Sequence, residues 1–310
     1  MGRYDPFVAS PDWHHWIILY FFLGGIAAGA YALACLARLM GDEADRRAVR
    51  AGDYLATPLI AICGVFLVID LGRPERFWHM LIQSNTFRPM FKWWSPMSAG
   101  SWGLSAFGAF AGASFLAAVV EDDWFGLGRF AKYANSLTRG VVGRLLAAGG
   151  LASACFLGSY TGSLLTASNQ PIWAQTTWLS PLFLASAAST GAAALILAVR
   201  WRLRDTPHEV VERLERFDAL AMVLELALLG AFAASLGDLA APALLRWPGV
   251  LIPAFVLPIG LVVPLVARYL PGGKAWAWAS PTLVLVAGLV LRYAVVEIPG
   301  RFAVGSGGLG

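Results

Sequence analysis

The ionisable and hydroxyl-bearing residues of this chain are set among long apolar runs, and the chemistry they offer is that of protons and hydrogen bonds. Tyr160 and Thr161 stand in SYTGSLL, near the end of one run. A phenol there can donate a hydrogen bond to a carbonyl. Asp70 closes another run, in DLGRP, and Arg73 follows close enough to set the charge around it. His14 and His15 stand at the mouth of the first run, beside Trp13 and Trp16, with Tyr20 further in. Glu225 lies inside a later run, about two turns from its start, and Asp238 lies at the far end of that run. Each ionisable group held in hydrocarbon costs about 2.5–3.5 kcal/mol, so Glu225 needs a reason: it reads as a proton-handling residue, with Asp238 on the same path, and the alternative is a buried hydrogen-bonded pair.

The same residues exclude other chemistries. Cys35, Cys63 and Cys155 are isolated, and there is no C-x-x-C, so neither an iron–sulfur cluster nor another metal site is expected in this chain. A di-haem protein needs axial histidines well inside its helices. Here His79 and His208 fall in loops and His14 and His15 at a helix mouth, so no haem is expected.

The elements that position these residues are membrane helices. The chain is 58% hydrophobic and 14% charged, with a mean hydropathy of +0.65, against roughly 25% charged in an ordinary globular domain. Eight runs are long enough to cross about 30 Å of hydrocarbon: 16–40, 52–71, 95–120, 140–167, 180–199, 217–236, 250–268 and 275–296. None has the alternating polarity of a barrel strand. The expected fold is an all-α integral membrane protein of eight transmembrane helices in two four-helix bundles, 1–167 holding the site and 168–310 the remainder with the C-terminal tail. The first 15 residues lack the features of a cleaved signal, so the first run reads as a retained helix.

Cations give the orientation. The loops on the N-terminal side hold seven Lys and Arg residues, and the opposite loops hold fifteen. The positive-inside bias puts the fifteen in the cytoplasm and both termini outside, in the periplasm of a Gram-negative inner membrane. Asp70, Tyr160, His14 and His15 then share one outer depth. That mixture of donors, a protonatable relay and apolar walls suits a quinone head group. The long loop within Asp70–Trp102, with Arg73, Arg76, Arg88 and Lys92, is expected to bind something on the same side.

Several motifs carry a family resemblance: GGxAAG at Gly24–Gly29, DLGRPxRFW at Asp70–Trp78, SPMSxGSW at Ser95–Trp102, YTGxLL at Tyr160–Leu165, NQPxW at Asn169–Trp173 and PLFLxS at Pro181–Ser186. The chain resembles the NrfD-like membrane subunits of polysulfide reductase and related iron–sulfur or molybdenum oxidoreductases. The ordered motifs cover roughly the first 190 residues, and beyond them the likeness rests on hydropathy.

The resemblance implies a cofactor-free quinone subunit exchanging electrons between menaquinol or ubiquinol and a docked, ferredoxin-like iron–sulfur subunit on the outer face, with a further catalytic redox subunit beyond. It implies a helix-four tyrosine at the quinone, which Tyr160 fits, and polar residues at the start of helix one, near which His14 and His15 fall; Asp70, at the same outer depth, and Trp102 are further candidates for that site. Aligned on the glycines, Tyr20 falls where a polysulfide reductase has a histidine. A passive membrane anchor without quinone chemistry is the alternative. A secondary transporter, which needs polar groups at the midplane, fits the outer clustering less well.

Overall fold

The computed structural model describes residues 15–202, 206–268 and 274–305, so His14 lies outside the described residues. Seven helices are long and apolar enough to cross a membrane. Six come first in order: α1 His15–Met40, α2 Arg46–Asp70, α3 Pro96–Glu121, α4 Gly140–Thr166, α5 Leu179–Arg202 and α6 His208–Ser235. The run expected at 250–268 forms α7, Ile252–Ala267, and the chain closes with α8, Lys274–Gly305. Seven of the eight expected runs therefore have spanning length; α7 falls short of the roughly 20 residues a perpendicular span needs. Its prolines explain its form. Pro253, Pro258 and Pro264 lack the N–H that closes an α-turn, and the first 11 residues wind wider, as a π-helix.

Two helices start earlier than hydropathy indicates. α2 begins at Arg46 rather than Gly52, and α6 at His208 rather than Phe217. The added turns of α6 are amphipathic: Val210 and Leu214 are buried, while Arg213 reaches Asp45 at 2.8 Å and Asp42 at 3.3 Å. Glu225 is consequently near the middle of its helix and not two turns from the end. α8 likewise runs past Val296 to Gly305, which places Arg292 well inside the helix.

α1 is the hub, packed against α2, α4, α5 and α8. Its glycines serve close approach. A Cβ added at Gly29 would overlap the Ala187 carbonyl of α5, and one added at Gly191 would overlap the α1 backbone, so the two backbones cross almost in contact. Such crossings let dispersion hold membrane helices together where apolar burial supplies little drive. A single hydrophobic cluster, with Phe21, Leu157, Leu182, Phe232 and Leu291 among its members, runs through both halves of the chain.

Between α4 and α5 a short helix, Pro171–Ala174, inserts Trp173 into the bundle. Its indole Nε1 donates to the Val295 carbonyl of α8 at 2.9 Å. That carbonyl would take the N–H of residue 299 in a regular helix, but residue 299 is proline. The tryptophan replaces the missing donor.

Candidate functional site

α1 and α4 set two phenols within electrostatic range of each other at the end of the bundle where α1 begins. Tyr160, 8% exposed, stacks on Phe156 with ring centroids 5.6 Å apart, and its hydroxyl donates to the Pro96 carbonyl at 2.8 Å. The ring can lie against α3 only because residue 100 is glycine; a Cβ there would overlap the phenol. The SPMSxGSW motif thus has a physical reading: Ser95 caps α3 through the Ser98 N–H, Pro96 presents its carbonyl, and Gly100 makes room for Tyr160. Tyr20 is buried within electrostatic range of Tyr160. It sits beside Cys63, whose thiol reaches toward the Tyr20 carbonyl at 3.7 Å.

The other expected residues of this end are placed as follows. Trp16 meets Phe66 at 5.2 Å, and Asp70 lies one turn beyond Phe66 as the half-buried last residue of α2. His15 opens α1 and is exposed, as is Arg73, which precedes a short helix at Pro74–Met80. Trp102 donates its indole N–H to the Met90 carbonyl at 2.9 Å, so it fastens the loop to α3. The loop itself is ordered as a small hairpin: the Gln83 N–H donates to the Arg88 carbonyl and the Met90 N–H to that of Leu81, at 2.9 and 2.8 Å. Phe87, Phe91, Trp93 and Trp94 are exposed along it.

Glu225 belongs to a different group. It is buried, 3% exposed, and faces Ser186 of α5 and Arg292 of α8. Arg292 is 1% exposed and donates from Nη1 to Ser186 at 3.1 Å and to the Gly288 carbonyl, and from Nε to the Phe21 carbonyl at 3.0 Å. Gly25 of α1 leaves the space its guanidinium occupies. Two turns along the same face of α6, Asp218 accepts from Ser189 at 3.2 Å and lines a cavity of about 780 Å³ at the arginine-rich end. Asp238 stands apart, exposed in a single turn after α6. Among the described residues no group of three or more His, Cys, Asp or Glu could hold a metal ion.

A further buried acid is not apparent from hydropathy. Asp53, 1% exposed, pairs through Oδ2 with Arg38, while its Oδ1 makes no hydrogen bond among the described residues. It lines a polar cavity of about 300 Å³ at the arginine-rich end. Arg38 donates onward to Ser114 at 3.0 Å, Ser114 meets the Tyr31 hydroxyl at 2.8 Å, and Tyr31 donates to the Phe110 carbonyl. The signal in the sequence is an aspartate just inside an apolar run; a helix begun at Gly52 hides it as an interfacial residue.

Fold and site together define a multi-pass helical membrane protein with a phenol pair at one end and buried charge clusters deeper in. The family described as "Polysulphide reductase, NrfD" matches residues 7–304, and the chain belongs to that family. It is 31% identical over 228 residues to the C component of the polysulfide reductase of Wolinella succinogenes, covering 70% of this sequence and 68% of that one. It is also 31% identical over 221 residues to protein NrfD of Escherichia coli, covering 66% of this sequence and 65% of the other. A shorter match, 25% over 114 residues, links it to the C component of the selenate reductase of Mesobacillus selenatarsenatis, covering 37% and 23% of the two sequences.

Proposed function

We propose that this chain is the quinone-reactive membrane subunit of a multi-subunit oxidoreductase, with its site at Tyr160, Tyr20, Asp70 and the start of α1. The observation that carries this reading is the Tyr160 hydroxyl, on a ring stacked against Phe156, within electrostatic range of the buried Tyr20 and engaged by one hydrogen bond that can be exchanged. The Pro96 carbonyl can retain the helical N–H of Gly100, so turning the Tyr160 donor toward a ligand carbonyl forfeits one neutral hydrogen bond, about 1 kcal/mol. A bound quinone would supply two-electron, two-proton redox chemistry within the bilayer. Tyr160 would donate to one of its carbonyls, Phe156 and Tyr20 would flank its ring, and Trp102, which fastens the loop, would hold that loop at the site. Asp70 and His15 exchange protons with the outer surface, and Arg73 holds the local charge.

In this reading a ferredoxin-like iron–sulfur subunit docks on the hairpin and its exposed aromatics, and a further catalytic redox subunit lies beyond it. α7 completes an eighth crossing, both termini face the periplasm of a bacterial inner membrane, and the first four helices, to residue 167, hold the quinone. Glu225, with Asp238 nearer the outside, moves protons through the second half. A passive anchor is the competing reading, favoured by the bond that already engages Tyr160. Quinol-linked turnover of the assembled complex decides between them. Tyr160→Phe should lower it on the order of 100-fold, and Asp70→Asn should abolish it, with assembly intact in both. Full quinol-linked activity in both variants overturns the site, and turnover that needs no quinone establishes the anchor.

A further inference from the structure

At the arginine-rich end, a cavity of about 1140 Å³ opens between α2, the segment after α3 and the last turn of α5. Neither phenol lines it, and nor do Glu225, Arg292 or Asp53. Its rim carries Arg46, Arg47, Arg50 and Arg202 against two carboxylates, Glu43 and Asp122. Those acids are engaged: Asp122 pairs with Arg50, which also holds Glu121 at 2.7 Å, and Glu43 lies 3.8 Å from Arg46. Arg47 and Arg202 are exposed and form no ion pair among the described residues; Arg202 leans over the Trp201 ring, 5.7 Å from its centroid.

Below the rim the lining changes in a fixed order. Tyr54 comes next, fixed by a 2.6 Å bond to Asp122, stacked on Trp124 at 5.1 Å and set edge-on to Phe115 at 5.7 Å. Leu55, Pro58 and Phe115 form the apolar depth. Arg47 and Pro58 lie about 16 Å apart along α2. Cation, then aromatic, then aliphatic wall is the sequence of environments met by a phosphodiester, a glycerol backbone and an acyl chain. Basic pockets between membrane helices recognise lipid head groups by this charge complementarity.

We infer that this cavity is a binding site for one anionic phospholipid, with Arg47 and Arg202 on its phosphate and Tyr54, Leu55 and Pro58 along its acyl chain. Free inorganic phosphate satisfies only the rim and leaves the apolar wall bare, so the lipid is the ligand. The inference is independent of the quinone reading.

The test takes the full-length chain, stripped of lipid in detergent, and adds dioleoyl-phosphatidylglycerol, dioleoyl-phosphatidylcholine or inorganic phosphate. Bound lipid is counted by native mass spectrometry. Phosphatidylglycerol should be retained, and the double variant R47Q/R202Q should bind it about 25-fold more weakly, since each arginine near a lipid surface contributes about fivefold. L55W, which fills the apolar wall and keeps every arginine, should also lose it. Equal retention of the two lipids by the unaltered chain overturns the inference, as does displacement of phosphatidylglycerol by millimolar phosphate. So does undiminished binding in L55W. Should R47Q/R202Q not fold, R202Q at the exposed end of α5 replaces it, with about fivefold expected and no change overturning the site.

Discussion

Arg292 shows what one buried charge demands of its neighbours. Three carbonyl or hydroxyl acceptors, a glycine and the electrostatic presence of Glu225 are arranged around a guanidinium that is 1% exposed. Removing one member of a buried charge pair leaves the other uncompensated, which costs about 3–5 kcal/mol. Arg292→Met should therefore lower the thermal unfolding midpoint in detergent sharply, and Arg292→Met with Glu225→Leu should recover part of the loss. Additive effects of the two changes would show that the charges are not coupled. Glu225→Gln keeps the shape and removes the proton site. If Glu225 carries protons, quinol-linked electron transfer in that variant continues in proteoliposomes while voltage generation fails; retained voltage counts against the path.

At the scale of elements, the loops and helices of this chain correct one another. Pro299 withholds a donor from the Val295 carbonyl, and Trp173, 122 residues earlier, supplies it. Trp173→Phe should destabilise the protein by about 1–3 kcal/mol, the penalty for an unsatisfied buried acceptor. In a Pro299→Ala background the helix furnishes its own N–H, so the same change should cost less; equal losses in both backgrounds would refute the replacement. Gly100 and Tyr160 stand in the same relation between α3 and α4. Both motifs are visible as strings of letters, yet neither string tells which residue of a distant helix it serves. The hairpin in the 71–95 loop is equally hidden, since its pairing depends on Trp102 and Ser98 gripping the Met90 carbonyl.

For the molecule as a whole, the division of charge between its two ends sets the orientation in the membrane. Many of the arginines at the cation-rich end also bind helices together: Arg38 joins α1 to α2, Arg50 joins α2 to α3, and Arg200 joins α5 to α6. In a Cys155→Ala background, Asn85→Cys in the hairpin should react with an impermeant maleimide added to intact cells. Lys132→Cys, exposed at the opposite end, should react only after permeabilisation. The reverse pattern would invert the orientation and move the proposed docking face to the cytoplasm.

Composition and run length alone determined that this is a bundle of membrane helices, because a backbone in hydrocarbon has almost no other way to satisfy its own polar groups. Short motifs determined the family, because Gly100, Tyr160 and Asp70 hold spacings that few folds require. Hydropathy stopped short at the helix ends, where amphipathic turns such as His208–Arg216 look like loop but bury one face. At α7 hydropathy marked an apolar run but not its form, a helix short of the usual spanning length with a π-helical stretch around Pro258. Which charges meet was decided by tertiary structure alone. Arg292 finds Ser186 and Phe21, and Asp53 finds Arg38, across gaps in sequence that hydropathy cannot bridge. An isolated acid in an apolar run has a cost that can be read from sequence; the partner that offsets it is fixed only when helices choose their neighbours.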